Sequence, residues 1–158
     1  MLLTPHTIVG VAVAATVPQM GISVPLSFVL HFVGDLIPHW DFYVGTTKEE
    51  RLKGWRPLAL MIDLSVGIAI GLTFTLYALW VLNNPPLALN IFLCGIASVL
   101  PDALTGPALY IKNSNGISKT CHKIQSKLQN QADLPWGAVT QLIVVLFSFL
   151  LILNSIGQ

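Results

Sequence analysis

The sequence predicts an all-α fold, a polytopic membrane helix bundle with about five transmembrane helices. Residues 1–158 are expected to form a single integral membrane domain. Composition is the first observation behind this prediction. Hydrophobic residues make up 54% of the chain and charged residues 9%, against about 25% charged residues in a typical soluble domain. The second observation is that polar loops divide the apolar residues into long segments. A formal net charge of +1 offers no basic surplus, so we expect no nucleic acid binding.

Five apolar segments account for the predicted transmembrane helices. The first begins at Thr4 and Pro5, a capping hydroxyl followed by a proline at the first helical position. The third begins at Pro57, and the last, from Pro135 on, carries no charge over about 20 residues, the length of a span. The predicted helices cover residues 5–20, 22–39, 57–82, 87–111 and 135–154. Residues 117–128 are predicted to form an amphipathic surface helix with lysines on one side.

The positive charges predict the orientation in the membrane. All eight Lys and Arg residues lie in the two polar loops, residues 40–56 and 112–133. If five spans alternate, both loops share a side with the N-terminus, and the positive-inside rule makes that side cytoplasmic. We therefore expect an integral protein of the cytoplasmic membrane, with its N-terminus inside, its C-terminus outside and the lipid bilayer as its partner.

Residues 30–41 concentrate ionisable side chains in an otherwise apolar segment. His31, Asp35 and His39 recur every four residues, so on an α-helix they drift by about 40° per step and share one face. An aspartate at the centre of a membrane helix costs roughly 2.5–3.5 kcal/mol on insertion scales. Each such group therefore needs a partner or a function.

The predicted topology brings ionisable residues of other helices to the same layer. His31, Asp63 and Asp102 lie roughly 9–13 Å below the cytoplasmic face at a rise of 1.5 Å per residue. Histidine and carboxylate ligands without converging cysteines suit a divalent metal, with zinc preferred and room for two ions. The candidate metal ligands are His6, His31, Asp35, His39, Asp63, Asp102 and His122. Asp41 is the candidate catalytic residue, as a general base, and an aspartate that binds no metal is the alternative for this role.

A structural role is the alternative for each of these residues. The carboxyl of Asp63 could be bonded to Ser65 or to a backbone carbonyl, and Asp102 could cap a helix that Pro101 breaks. The remaining alternatives are a helix-end role for His6, a loop cap at Asp41, a His31–Asp35 bond that locks two helices, and a solvated His122.

Three stretches of the chain resemble a known family. They read TPHTIVG at residues 4–10, HFVGDLIPHWD at residues 31–41 and LPD at residues 100–102. The chain resembles small multi-pass bacterial proteins known as predicted membrane-bound metal-dependent hydrolases. It is more distantly similar to the all-helical group of zinc-dependent phospholipase C and P1 nuclease, which uses His-x3-Asp pairs on helices. The resemblance covers most of the chain and implies a metal-binding enzyme of the bacterial inner membrane, although residues 48–56 lack the His-Arg-Gly-x-Thr-His segment associated with the family.

The leading hypothesis is a metal-dependent hydrolase whose His/Asp site lies at the cytoplasmic side. A site at the membrane boundary favours a phosphoester or lipid-like substrate, such as a phospholipid, whose polar group reaches that layer, and two metal ions can clamp a phosphoryl oxygen. A metal-ion or proton transporter or channel is one alternative, but it would need ionisable residues in the outer halves of the helices as well. A non-catalytic membrane protein, in which His and Asp pairs specify helix packing, is the other.

Overall fold

The computed structural model describes residues 1–43, 46–110 and 115–156. Over these residues the regular secondary structure is helical, apart from one isolated backbone bridge. The all-α prediction is therefore confirmed. The helices are α1 (Leu3–Thr16), α2 (Met20–Leu36), α3 (Lys48–Arg51), α4 (Arg56–Leu76), α5 (Pro85–Tyr110), α6 (Gly116–Leu128) and α7 (Trp136–Ile156). The end of α4 continues as a π-helical segment, Tyr77–Val81. Ile111, the predicted last residue of the fourth transmembrane helix, lies outside the described residues.

Among the described residues, three helical stretches are long and apolar enough to cross a membrane. They are Arg56–Val81, Pro85–Leu109 and Trp136–Ile156. α1 and α2 have 14 and 17 residues, fewer than the roughly 20 that a perpendicular span needs. A membrane protein is indicated on this basis, while the five spans and the sides of the two termini stay predictions.

The first helix, α1, lies at the centre of the bundle, where it contacts α2, α4, α5 and α7. Val11 and Ala14 on this helix are both 0% exposed. The last carbonyl groups of a helix have no partner within the helix and need one from elsewhere. At the C-terminal end, the Asn90 side-chain amide of α5 donates to the carbonyl oxygens of Ala14 and Val17, at 3.2 and 3.0 Å. The shortest of the five predicted membrane helices thus forms the core of the bundle.

The N-terminal end of α1 is capped from α4. The prediction that Thr4 is the N-cap is wrong, because the helix begins at Leu3 and its N-cap, Leu2, makes no side-chain cap bond. Instead, the carboxylate of Asp63 accepts hydrogen bonds from the backbone N–H groups of Leu3 and Thr4, at 2.7 and 3.1 Å. A carboxylate at this position also interacts favourably with the helix dipole. No local pattern reveals such a cap, since Asp63 lies 60 residues from Leu3.

Gly10 sets the close approach of α1 to α5. A Cβ atom added there would lie 2.6 Å from the carbonyl oxygen of Cys94 and 2.8 Å from the hydroxyl oxygen of Ser98. Small residues let membrane helices pack at such short backbone distances. His6 lies one turn before Gly10 on α1. The close helix crossing therefore places His6 at the same level as Ser98 on α5 and as the α2 residues that contact Ser98.

The surface helix α6 turns polar residues inward. Ser118 and Gln125, seven residues apart and therefore on one face, are 2% and 3% exposed. Ile117 and Ile124 point outward, with 67% and 50% exposure. The inward face of α6 packs on α5 and α2, where buried histidine and aspartate side chains require hydrogen-bonding partners.

Candidate metal centre

Three ligand-type side chains from three helices meet below α6. In the described part of the chain, His6 of α1, His31 of α2 and Asp102 of α5 form a group whose ligand atoms all lie within 4.8 Å of one another. Both histidines are 1% exposed, and Asp102 is partly buried. The group could hold a metal ion, which agrees with the sequence-based prediction of a metal site; the identity and number of ions stay predictions.

The ring of His31 is oriented as in a metal-binding histidine. Its Nδ1 lies 2.7 Å from the backbone carbonyl oxygen of Ser98, so Nδ1–H donates and Nε2 faces the cluster. Nε2 lies 3.5 Å from Oδ2 of Asp35 and 3.6 Å from Oδ1 of Asp102. A ligand histidine typically donates its other N–H to a backbone carbonyl, which fixes the tautomer and the ring orientation. His31 therefore fits the donor set that a divalent ion requires.

The ring of His6 lies against that of His31. The two imidazoles are stacked with centroids 3.9 Å apart and planes 22° from parallel. Nε2 of His6 lies 3.2 Å from Oδ1 of Asp35. Asp35 thus contacts both histidines, and the sequence-based His31–Asp35 pair extends to a third helix through His6.

Gln125 of α6 closes the cluster from the surface. Its side-chain nitrogen lies 3.1 Å from Nε2 of His31, 3.4 Å from Oδ2 of Asp35 and in close contact with Oδ1 of Asp102. The hydroxyl of Thr105 donates to the Gln125 side-chain oxygen at 2.6 Å, which fixes the orientation of the amide. An amide nitrogen carries two hydrogens, yet three acceptors converge on it. The Gln125 amide nitrogen therefore occupies the point on which these acceptors converge, and a cation bound there would take its place.

Asp35 and His39 form a second group beside the first. The N-terminal ammonium of Met1 donates to Oδ1 of Asp35 and lies 2.7 Å from Nε2 of His39. Nδ1 of His39 is 2.8 Å from the carbonyl oxygen of Ile37, so this ring also turns its Nε2 lone pair inward. Burial, and after it the nearby ammonium, lowers the pKa of His39, which keeps the imidazole neutral and able to accept or to ligate.

The loop after α2 is held in place by the chain around α7. His39 N–H donates to the carbonyl oxygen of Asn130 at 3.0 Å, and the His39 carbonyl accepts from Ala132 N–H at 2.8 Å. Gly137 packs directly on the loop after α2, since an added Cβ would lie 2.8 Å from the backbone carbonyl carbon of His39. On the same helix, the Gln141 amide donates to the Trp40 carbonyl at 2.8 Å. These contacts position His39 and Asp41 although neither lies in a helix.

A cavity of about 330 Å³ opens beside the cluster. This volume lies within the roughly 300–1,000 Å³ range of small-molecule sites. Its polar lining includes Asp41, Arg51, Asp63, Asp102, His122 and Gln125, and its apolar lining includes Leu3, Leu60, Leu64, Val99 and Leu109. The candidate general base Asp41 and the candidate ligands Asp63, Asp102 and His122 therefore share one cavity.

Asp41 combines a turn contact with exposure to this cavity. Its Oδ1 accepts from the backbone N–H of Tyr43 at 3.2 Å, in agreement with the loop-cap alternative. Burial raises the pKa of its carboxyl above the ordinary value. A carboxylate with a raised pKa is a stronger base at neutral pH, so the structural role and the catalytic role are compatible at this residue.

Asp63 has a structural partner for each carboxylate oxygen, the two backbone N–H groups of α1. Ser65, the sequence-based candidate partner, instead donates its hydroxyl to the Met61 carbonyl at 2.7 Å. Replacing Asp63 with alanine is expected to lower the free energy of unfolding by about 1–2 kcal/mol, the cost of losing a helix cap, and to leave bound metal unchanged. Thermal unfolding and metal analysis of the detergent-purified variant test this, with Ser65→Ala as the control. Loss of metal at unchanged stability would instead make Asp63 a ligand.

Sequence reasoning missed Gln125, Gln141 and the Ser98 carbonyl. The sequence signal for Gln125 is weak. It is the seven-residue spacing from Ser118, which places both residues on one face of a helix, and this spacing becomes informative only when the buried face of α6 is known. Comparison of the chain with protein-family models, curated proteins and solved structures gives no match. The functional inference therefore depends on the geometry of the cluster and of the cavity beside it.

Proposed function

We propose that the protein is a membrane-embedded, metal-dependent hydrolase that acts on a phosphoester or another lipid-like substrate. The observation that carries this proposal is the group of His6, His31 and Asp102, whose ligand atoms lie within 4.8 Å of one another beside a cavity that Asp102 lines. His6, His31 and Asp102 would hold the ion, with Asp35 beside them. Nitrogen and carboxylate donors favour zinc. When bound, such an ion supplies Lewis acidity toward a phosphoryl oxygen and toward water.

The protein's own residues would then perform three tasks. The Ser98 carbonyl accepts from Nδ1–H of His31 and would thereby direct Nε2 toward the ion. Asp41, with its raised pKa, would accept the proton of the attacking water. The apolar lining, including Leu60 and Leu64, would restrict bulk water and strengthen electrostatic interactions within the cavity.

The proposal extends to the position in the membrane. We place the site at the cytoplasmic side of a five-span bundle, with α1 and α2 as short, inner spans and the polar loops facing the cytoplasm. The distribution of Lys and Arg supports this orientation through the positive-inside rule. The bacterial inner membrane is proposed from the resemblance described above.

Metal removal tests the hydrolase proposal. The purified protein is expected to hydrolyse a soluble p-nitrophenyl phosphoester, to lose this activity on dialysis against a chelator, and to regain it when zinc or manganese is added back. Asp102→Asn keeps the side-chain shape and removes the charge, so the variant is expected to need a higher metal concentration. Protein that carries no bound zinc, manganese or iron and shows no turnover with any of them would refute the proposal.

A packing role for the cluster is the second candidate, and one observation favours it. Within the described residues, every buried side-chain nitrogen and oxygen has a hydrogen-bonding partner. A fully satisfied polar network can specify helix packing without a ligand. The two candidates differ in whether metal stabilises the protein, and the variant of His31 considered in the Discussion separates them.

A further inference from the structure

A second cavity, of about 130 Å³, lies between α1, α4 and α5. Its lining is apolar or small and includes Thr7, Gly67, Gly71 and Leu72 on one side and Ile91, Gly95 and Ile96 on the other. We call this cavity the α4–α5 groove. Both α4 and α5 belong to the helical stretches long enough to cross a membrane, so the groove lies where lipid chains lie.

The α4–α5 groove continues from the polar cavity. Leu3, Leu64 and Val99 line both, so the apolar groove begins where the polar cavity ends. Along α4 the lining extends from Leu64 to Thr75, a distance of about 16 Å at 1.5 Å per residue. This is close to half of the roughly 30 Å hydrocarbon core of a bilayer, which is the depth that one lipid chain occupies.

Helix packing does not account for the space at Gly95. A Cβ atom added to Gly95 would meet no atom within 4 Å, and one added to Gly71 would lie 3.4 Å from Cγ2 of Thr7, an ordinary contact. Gly10 is different, because a backbone oxygen lies 2.6 Å from its added Cβ. The groove is therefore open space at Gly95, whereas at Gly67 it is closed toward α1, where an added Cβ would lie 3.1 Å from the hydroxyl oxygen of Thr7.

The polar cavity offers a matching partner for an anionic headgroup. Arg51 borders it. Its guanidinium donates to the hydroxyl and carbonyl oxygens of Thr46, at 3.4 and 3.5 Å, and its Cζ lies 5.6 Å from the centroid of the Tyr43 ring. Arginine pairs with phosphate through two parallel N–H···O bonds. Asp41, Asp63 and Asp102 line the same cavity, so the divalent ion of the proposed function, together with Arg51, would supply the positive charge for a phosphate. A polar cavity at one end and an apolar groove at the other match the two parts of a phospholipid.

We propose that the α4–α5 groove binds one acyl chain of an anionic phospholipid taken from the bilayer, with the phosphate in the polar cavity beside Arg51. This inference rests on the proposed function, since it names the lipid as the substrate class of that site. The phosphate would then lie in the cavity that Asp41 and Asp102 line, and the chain would hold it there by apolar contact.

Photo-crosslinking tests the groove without any need for turnover. The full chain is reconstituted in vesicles that contain phosphatidylglycerol with a diazirine near the end of one acyl chain, and the labelled peptides are mapped by mass spectrometry. We expect label on the groove residues of α4 and α5, and about tenfold less in Gly95→Leu, because a leucine would overpack the groove. Gly71→Leu fills the groove from α4 and serves if Gly95→Leu does not fold.

Gly21→Leu is the matched control, because an added Cβ at Gly21 also meets no atom within 4 Å while Gly21 borders neither cavity. The labelling of this variant should equal that of the wild type.

Excess dodecyl phosphate should displace the label and excess dodecanol should not, if Arg51 binds the phosphate. Label spread evenly over the outward faces of α4, α5 and α7, and unchanged in Gly95→Leu, would overturn the inference. Wild-type hydrolysis of the soluble phosphoester needs no acyl chain, so failure of the groove and failure of the hydrolase proposal give different results.

Discussion

Replacing His31 with alanine is expected to abolish the stabilisation of the protein by metal. Zinc at about 100 times its Kd should raise the free energy of unfolding of the wild type by about 2.7 kcal/mol. The variant should gain nothing, because His31 Nε2 is the atom that faces both Asp35 and Asp102. Thermal unfolding in detergent with and without zinc, together with the metal content of purified protein, measures the difference.

The comparison is made within each variant, because His31→Ala also leaves the carboxylates of Asp35 and Asp102 with fewer partners and lowers stability without metal. His122→Ala is the matched histidine variant. His122 borders the cavity but is not part of the group formed by His6, His31 and Asp102, so its variant should keep the full effect of zinc. A wild type that binds no metal and melts at the same temperature with and without zinc would support the packing role instead.

Replacing Asp41 with asparagine is expected to lower kcat by about 10²–10⁴-fold, the usual contribution of a general base. Asparagine keeps a side-chain oxygen for the Tyr43 N–H, so the turn and the bound metal should be unchanged. Hydrolysis of the soluble phosphoester and metal analysis of the same samples test this. Asp133→Asn, an exposed aspartate in the loop before α7, is the control and should retain wild-type kcat.

The pH profile gives a second signature of Asp41. A general base must be deprotonated to act, so activity should fall as the pH decreases through the pKa of Asp41. Because burial raises that pKa, the acidic limb should lie above the ordinary aspartate value of about 3.9, and Asp41→Asn should lose this limb. A variant with unchanged kcat would reduce Asp41 to its turn contact with Tyr43.

The helices themselves could be predicted from the sequence because hydrophobicity and helical periodicity are local properties. The His31, Asp35, His39 stripe follows from a four-residue spacing, although the helix α2 ends at Leu36 and His39 is held by the Ile37 and Asn130 carbonyls instead. The orientation of the His39 ring toward the cluster thus depends on the loop before α7. That loop lies about 90 residues further along the chain, and the four-residue spacing does not predict its contact with His39.

The depth of each ionisable residue in the membrane could also be estimated from its position in a predicted helix. This estimate placed His31, Asp63 and Asp102 in one layer. Depth does not specify the direction in which each side chain points around its helix axis. The structure turns Asp102 toward His31, at 3.6 Å, and turns Asp63 toward the backbone of α1. Two aspartates predicted at the same level therefore have different partners.

The sequence alone accounts for the all-α fold, the apolar character of the helices and the residue types available for a metal site, since each depends on composition and on spacing along one helix. The centrality of α1, the cap by Asp63, the closure by Gln125 and the α4–α5 groove arise only when the helices pack. They depend on the rotation of each helix about its axis and on contacts between residues far apart in the chain. Those contacts bring His6, His31 and Asp102 together, and it is this group that supports a metal-dependent function.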